Sequence, residues 1–171
     1  MEQSKRYDIP IVQDFMTRKV ITCTPEMDLS HVLKAFNKHR ISALPVMSSD
    51  HSQEVAGFIS EDDLMQAMAS SSFFYAPSEP LTVAKSMVGD IQRLSPQMDL
   101  FEVTKLFHEK NLRHAPVIDE RNHLVGIVSR RDVLRELEKI IEKQQGYMSS
   151  LKGPNKRSMT NEALWRLDSR G

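Results

Sequence analysis

The chain has little with which to cross-link itself, wrap a phosphate in glycine or enter a membrane. Among its 171 residues there is one cysteine, Cys23, so no internal disulfide can form and an oxidising compartment gains no support. Its six glycines include no phosphate loop of Walker or Rossmann spacing. Neither sign of charge dominates, with 23 basic and 23 acidic residues, so bulk charge argues against a nucleic-acid or membrane-surface binder. No apolar run approaches the roughly 20 residues a spanning helix needs. The polar start Met1-Glu2-Gln3-Ser4-Lys5-Arg6 is not followed by an apolar signal region. The expectation is a cytoplasmic protein.

Signs of catalysis are equally sparse. A lone cysteine with no base motif beside it reads as a small inert hydrophobe. His108-Glu109 and His114 lack the His-Glu-x-x-His spacing that sets two metal ligands on one helix face, and His31, His39, His51 and His123 are scattered. No enzyme, no metal and no required cofactor is expected.

What the chain does have is a repeat. Thr24-Pro25-Glu26-Met27-Asp28-Leu29 recurs 71 residues on as Ser95-Pro96-Gln97-Met98-Asp99-Leu100. The same offset carries Met16 to Met87, Val32 to Val103, Phe36 to Phe107 and Pro45-Val46 to Pro116-Val117. It becomes 69 for Gly57 to Gly126, Ser60 to Ser129 and Asp63 to Asp132. The first copy therefore holds two extra residues in the polar stretch 48–53, a turn where insertion costs little.

Each copy predicts the same elements. A strand at 20–22 or 91–93 leads to a helix capped by Asp28 or Asp99, with Glu102 completing a capping box in the second. The apolar stripes are Leu29, Val32, Leu33, Phe36 and Leu100, Val103, Leu106, Phe107. Strands follow at 43–47 or 115–118 and at 55–59 or 124–128, then a helix at 61–69 or 130–143. The fold class is α/β (α+β), two β-α-β-β-α repeats. A copy of about 60 residues is near the lower limit for its own core, so the two should pack with pseudo-twofold symmetry. The boundaries are 8–70 for repeat one, 71–81 for a linker whose Phe73, Phe74 and Tyr75 suggest packing, and 82–145 for repeat two. A tail at 146–171 offers a short helix around Leu164, Trp165 and Leu167.

The segments Gly57-Phe58-Ile59-Ser60-Glu61-Asp62-Asp63 and Gly126-Ile127-Val128-Ser129-Arg130-Arg131-Asp132 resemble the strand-to-helix signature of CBS domains. Pro45-Val46 and Pro116-Val117 match the preceding strand, and Val12-Gln13-Asp14-Phe15-Met16-Thr17 is similar to the family's introductory segment. The resemblance covers about residues 8 to 143. It implies a regulatory pair sensing an adenosine-containing ligand, often in a face-to-face homodimer.

On that basis Ser60-Asp63 and Ser129-Asp132 have two readings. One is a ribose clamp, the carboxylate accepting from vicinal hydroxyls. The other is a helix cap with an acid at its third position. Arg113 and His114, and Arg130 and Arg131, stand where a phosphate would lie in the second copy, against Ser42, Ala43, Glu61 and Asp62 in the first. Adenine would lie against Val20, Thr22, Ala43 and Val46, or Ile91, Ala115 and Val117. AMP, ADP, ATP, S-adenosylmethionine and a cyclic dinucleotide all stay open. So does the alternative, an interaction module or trans-acting subunit that binds an unknown target protein and no nucleotide. A homodimer is expected through Leu64, Met65, Met68, Val133, Leu134 and Leu137.

Overall fold

The structure is a computed structural model that describes residues 9–69 and 81–151, with side chains described through Tyr147. The linker aromatics and the helix expected around Trp165 lie outside the described residues. The described residues through Leu137 form one compact unit and those from Glu138 to Leu151 a second.

The first repeat runs α1 (Val12–Phe15), α2 (Leu29–His39), β1 (Ala43–Met47), β2 (Val55–Ser60) and α3 (Glu61–Met68). The second opens with a 3₁₀ turn (Val83–Lys85) and continues with α4 (Leu100–Glu109), β3 (His114–Ile118), β4 (Leu124–Ser129) and α5 (Arg130–Leu151). Asp28 caps α2, accepting from the Ser30 amide at 2.8 Å. The box expected on α4 forms: Asp99 accepts from the Phe101 and Glu102 amides, and Glu102 accepts from the Asp99 amide at 2.9 Å. The hairpins β1–β2 and β3–β4 are antiparallel and share one register, including a bulge at Val46/Met47 and its counterpart at Val117/Ile118.

The strands expected at 20–22 and 91–93 do not form. Each shrinks to one parallel rung, Cys23 against Val46 and Leu94 against Val117. The Cys23 amide donates to the Pro45 carbonyl and Met47 donates to the Cys23 carbonyl; Leu94, Pro116 and Ile118 repeat the pattern. The next rung would need N–H groups from Pro45 and Pro116, which have none, so the ladder stops. The last helix also departs from expectation, continuing past 143 to Leu151. Gly146 is a weak helix former flanked by good ones, and one such residue costs only about 1 kcal/mol.

The two repeats exchange their lead-in segments. Val12 and Gln13 donate to the Met98 and Pro96 carbonyls, and Leu100 donates to Pro10, all at the start of α4 in the other repeat. In the mirror arrangement Val83 and Ala84 donate to Met27 and Pro25, and Leu29 donates to Leu81, at the start of α2. Thr17 and Ile127 then exchange a pair of backbone bonds along β4, as Phe58 and Val88 do along β2. The first core is Cys23, Leu29, Val32, Phe36, Leu44, Val46, Ile59 and Leu64 together with Val83 from the second repeat. The equivalent positions Leu94, Leu100, Val103, Phe107, Ala115, Val117, Val128, Val133 and Val12 are buried likewise. Leu64 and Val133 thus belong to the cores, whereas Met65 and Leu134 are exposed.

This crossing explains both glycines of the repeated motif. A Cβ on Gly57 would stand 2.7 Å from the Val88 carbonyl oxygen, whereas one on Gly126 would meet chiefly the flexible Met16 side chain at 2.5 Å. Between the hairpins sits His114, whose Nε2 lies 3.1 Å from Ser42 Oγ and whose ring stacks on Phe58 at 6.4 Å. Burial holds its pKa below the ordinary 6.5, against the opposing pull of Asp132 and Glu61.

Two outcomes follow. Gly57→Ala, which must move backbone, should lose about 1–3 kcal/mol in urea unfolding, and Gly126→Ala, which displaces the Met16 side chain and meets backbone only at the Thr17 carbonyl, 3.2 Å away, less; equal losses would break the account. For His114, the unfolded chain binds more protons between the depressed folded pKa and 6.5. Stability therefore rises with pH through that window, is complete above it and is lost on acidification. Wild-type melting temperature should fall below about pH 6.5, and His114→Gln should fall less.

Candidate functional site

Exchange of the lead-in segments opens two clefts, each drawn from both repeats. The first has a volume of about 550 Å³. Repeat one supplies Lys19, Val20, Ile21, Arg40, Ile41, Ser42 and Ala43; repeat two supplies Arg113, His114, Ile127, Ser129, Arg130, Arg131 and Asp132. The second cleft, about 400 Å³, reverses the contributions. Repeat one supplies Phe58, Ser60, Asp62 and Asp63, and repeat two supplies Val88, Asp90, Ile91, Gln92, Asn111 and Leu112. Arg113 and His114 line both.

At the floor of each cleft a strand runs directly into a helix, and the serine–aspartate pair caps that helix. Asp132 Oδ2 accepts from the Ser129 amide at 2.9 Å and from Ser129 Oγ at 2.5 Å, while the Asp132 amide donates back to Ser129 Oγ. Asp63 and Ser60 do the same at 2.8 and 2.6 Å. These are capping boxes, and they also fix the carboxylates at the cleft wall. The copies differ at the outer oxygen: Asp132 Oδ1 takes a bond from Arg135 at 3.1 Å, where the first repeat has Gln66.

Charge separates the clefts more than shape does. Around the first stand Lys19, Arg40, Arg113, Arg130 and Arg131 against the single acid Asp132. Around the second, Asp62, Asp63 and Asp90 oppose Arg113 alone. Arg130 is engaged, donating to the Leu112 carbonyl at 2.7 and 3.0 Å and to Asn111 Oδ1 at 3.1 Å, and so clamps the end of α4. The side chains of Lys19, Arg40, Arg113 and Arg131 have no hydrogen-bond or ion-pair partner among the described residues. Arg40 is also held in the left-handed region at φ 53°. That conformation costs a non-glycine residue about 1–2 kcal/mol.

The structure gathers Ala43, Arg113, His114, Ser129, Arg131 and Asp132 at the first cleft and Ser60, Asp63, Arg113 and His114 at the second. Ala115 is fully buried and lines neither, as are Val46 and Val117. Thr22 faces a third cavity elsewhere. Sequence reasoning missed Lys19 and Arg40. The signal was there in the repeat alignment, because their counterparts 71 residues on are Asp90 and Asn111. Cys23 is buried, with its thiol pushed up to about 12 by desolvation, so it stays protonated and unreactive. No group of three metal-ligating side chains occurs among the described residues. No described helix is long and apolar enough to cross a membrane.

The comparisons with known proteins agree with this architecture. The CBS-domain family model matches residues 12–70 and 83–139. An uncharacterised protein of Methanocaldococcus jannaschii, MJ1426, is 27% identical over 158 residues, covering 76% of this chain and 92% of that protein. The fold is similar to the CBS domain pair of protein MJ0100, solved with 5′-methylthioadenosine and S-adenosyl-L-methionine. That match has a TM-score of 0.67 and 23% identity, covering 77% of this chain and 98% of the other. It is similar also to CBSX2, from Arabidopsis thaliana, solved with AMP, at a TM-score of 0.66 and 23% identity over 76% of this chain and 97% of the other. With two regions matched in tandem across more than half its length, the chain belongs to the CBS-domain family.

Proposed function

We propose that the chain is a regulatory module that binds an adenine nucleotide, AMP, ADP or ATP, in the Asp132 cleft. The observation that carries this reading is the set of cations around that cavity. Lys19, Arg40, Arg113 and Arg131 converge there without partners among the described residues, and an anionic ligand relieves their mutual repulsion. Val20, Ile21, Ile41 and Ala43 supply an apolar slot for a planar base. A carboxylate accepts about four hydrogen bonds. Asp132 has three described donors, two from Ser129 and one from Arg135, which leaves Oδ1 acceptor capacity for a ribose hydroxyl. Two structural neighbours were solved with adenosyl ligands, which supports the class without choosing among its members. The acidic second cleft opposes a phosphate by the same logic.

We also propose a homodimer. Met65 and Leu134 occupy equivalent positions on α3 and α5 and are 63% and 60% exposed. A second copy covering them would remove both from water.

Calorimetric titration with AMP tests the ligand reading. Asp63→Ala and Asp132→Ala each remove the same kind of capping box, so the difference between them reports the cleft rather than the helix. Asp132→Ala should weaken binding about tenfold or more, the loss of one hydrogen bond to a charged group, and Asp63→Ala far less. Arg113→Ala should also weaken it. Equal losses at the two aspartates would reject the charge argument, and the absence of any binding across an adenine-compound panel would favour an interaction module. Light scattering at micromolar concentration should give twice the 19.6 kDa chain mass; a monomer mass would remove the dimer.

A further inference from the structure

The third cavity, about 420 Å³, lies away from both clefts. Its origin is an asymmetry between the repeats. In the second repeat, Arg93 reaches across the hairpin turns: Nη2 donates to the Val55 carbonyl at 3.3 Å and Nη1 to Asn122 Oδ1 at 3.0 Å. The position equivalent to Arg93 in the first repeat is Thr22, and the position equivalent to Val55 is Leu124. Thr22 and Leu124 both line the cavity. The space that a guanidinium fills on one side of the pseudo-twofold is therefore open on the other. Its floor is Cys23, Met27 and Met47, apolar surface suited to an arginine stem, and its rim carries the carboxylates of Asp50 and Asp119. Asp119 is kept ionised by bonds from the His123 and Arg121 amides.

We propose that this cavity is a docking site for an arginine side chain presented by a partner polypeptide, seated as Arg93 is seated in its own chain. The planar fork of a guanidinium, rather than an ammonium, matches an acceptor set of one carbonyl and flanking carboxylates. The nucleotide reading is independent of it.

The test is an amide NMR titration of the full chain with N-acetyl-L-argininamide, N-acetyl-L-lysinamide, N-acetyl-L-citrullinamide and free L-arginine. The argininamide should give saturable shifts at Thr22, Asp50, Gln53 and Leu124; lysinamide should bind more weakly and citrullinamide not at all. Thr22→Arg fills the cavity from within, so it should abolish those shifts, melt no lower than wild type and leave AMP titration unchanged. Asp50→Ala, at an exposed turn residue, should weaken the argininamide response in a chain that folds normally. No saturable shift in wild type, an undiminished response in Thr22→Arg or Asp50→Ala, or equal binding of citrullinamide would overturn the assignment. Tighter binding of free L-arginine than of the capped form would overturn the polypeptide source.

Discussion

Everything in this fold hangs on two short pairs of backbone hydrogen bonds, Thr17 with Ile127 and Phe58 with Val88. Each hairpin has only two strands of its own and a single parallel rung on its far edge. A two-stranded ribbon in water is marginal by itself. The borrowed rung extends the sheet, and the residues just before it insert Val12 or Val83 into the neighbour's core. The clefts exist because the crossing holds residues 17–21 and 88–92 opposite the strand-to-helix turns of the other repeat.

On this nearly symmetric frame the chemistry is asymmetric. Core positions keep their apolar character across the repeat, since both cores must pack. Cleft positions are free of that demand and diverge: Lys19 against Asp90, Arg40 against Asn111, Asp62 against Arg131. The same divergence puts Arg93 opposite Thr22 and closes one cavity while leaving its mate open. The motif aspartates are placed by the cap itself. Orienting a carboxylate by its own helix cap costs no extra side chain, and the oriented group faces the cleft.

Much of this was legible in the residues, and what was not has a physical cause. The offset of 71 carried the helix stripe Leu29, Val32 and Phe36 and the strand residue Val46 onto buried counterparts in the second repeat, because burial enforces residue type. The capping box on α4 was readable because it is local. The exchange of lead-in segments was not: Val12 precedes the first repeat in sequence but packs with the second, and hydrogen bonds between distant backbone groups leave no local pattern. The shortened ladders were missed although the signal was in view, since Pro45 and Pro116, taken as markers of a strand, also remove the donors its neighbour would use. Arg40 was missed because neither its left-handed backbone nor its place at the cleft shows in the local sequence. Thr22 was named beside Val20 for the adenine slot, whereas the single rung at Cys23 leaves it lining the third cavity.

The exchange also sets an order in time. During synthesis the first repeat lacks one wall of its core until Val83 has been made. The second cannot close until residues 10–17, the earliest described part of the chain, fold back onto residues 96–100 and 127. Pairings of such wide sequence separation demand loop closure before they return any burial, which slows the search. Neither half is therefore a complete folding unit that could finish on the ribosome before the other begins. A circular permutant that kept the lead-in segments attached to their sequence neighbours would inherit the same interdependence, whereas one cut between residues 17 and 20 would join the first lead-in to the repeat whose core it completes.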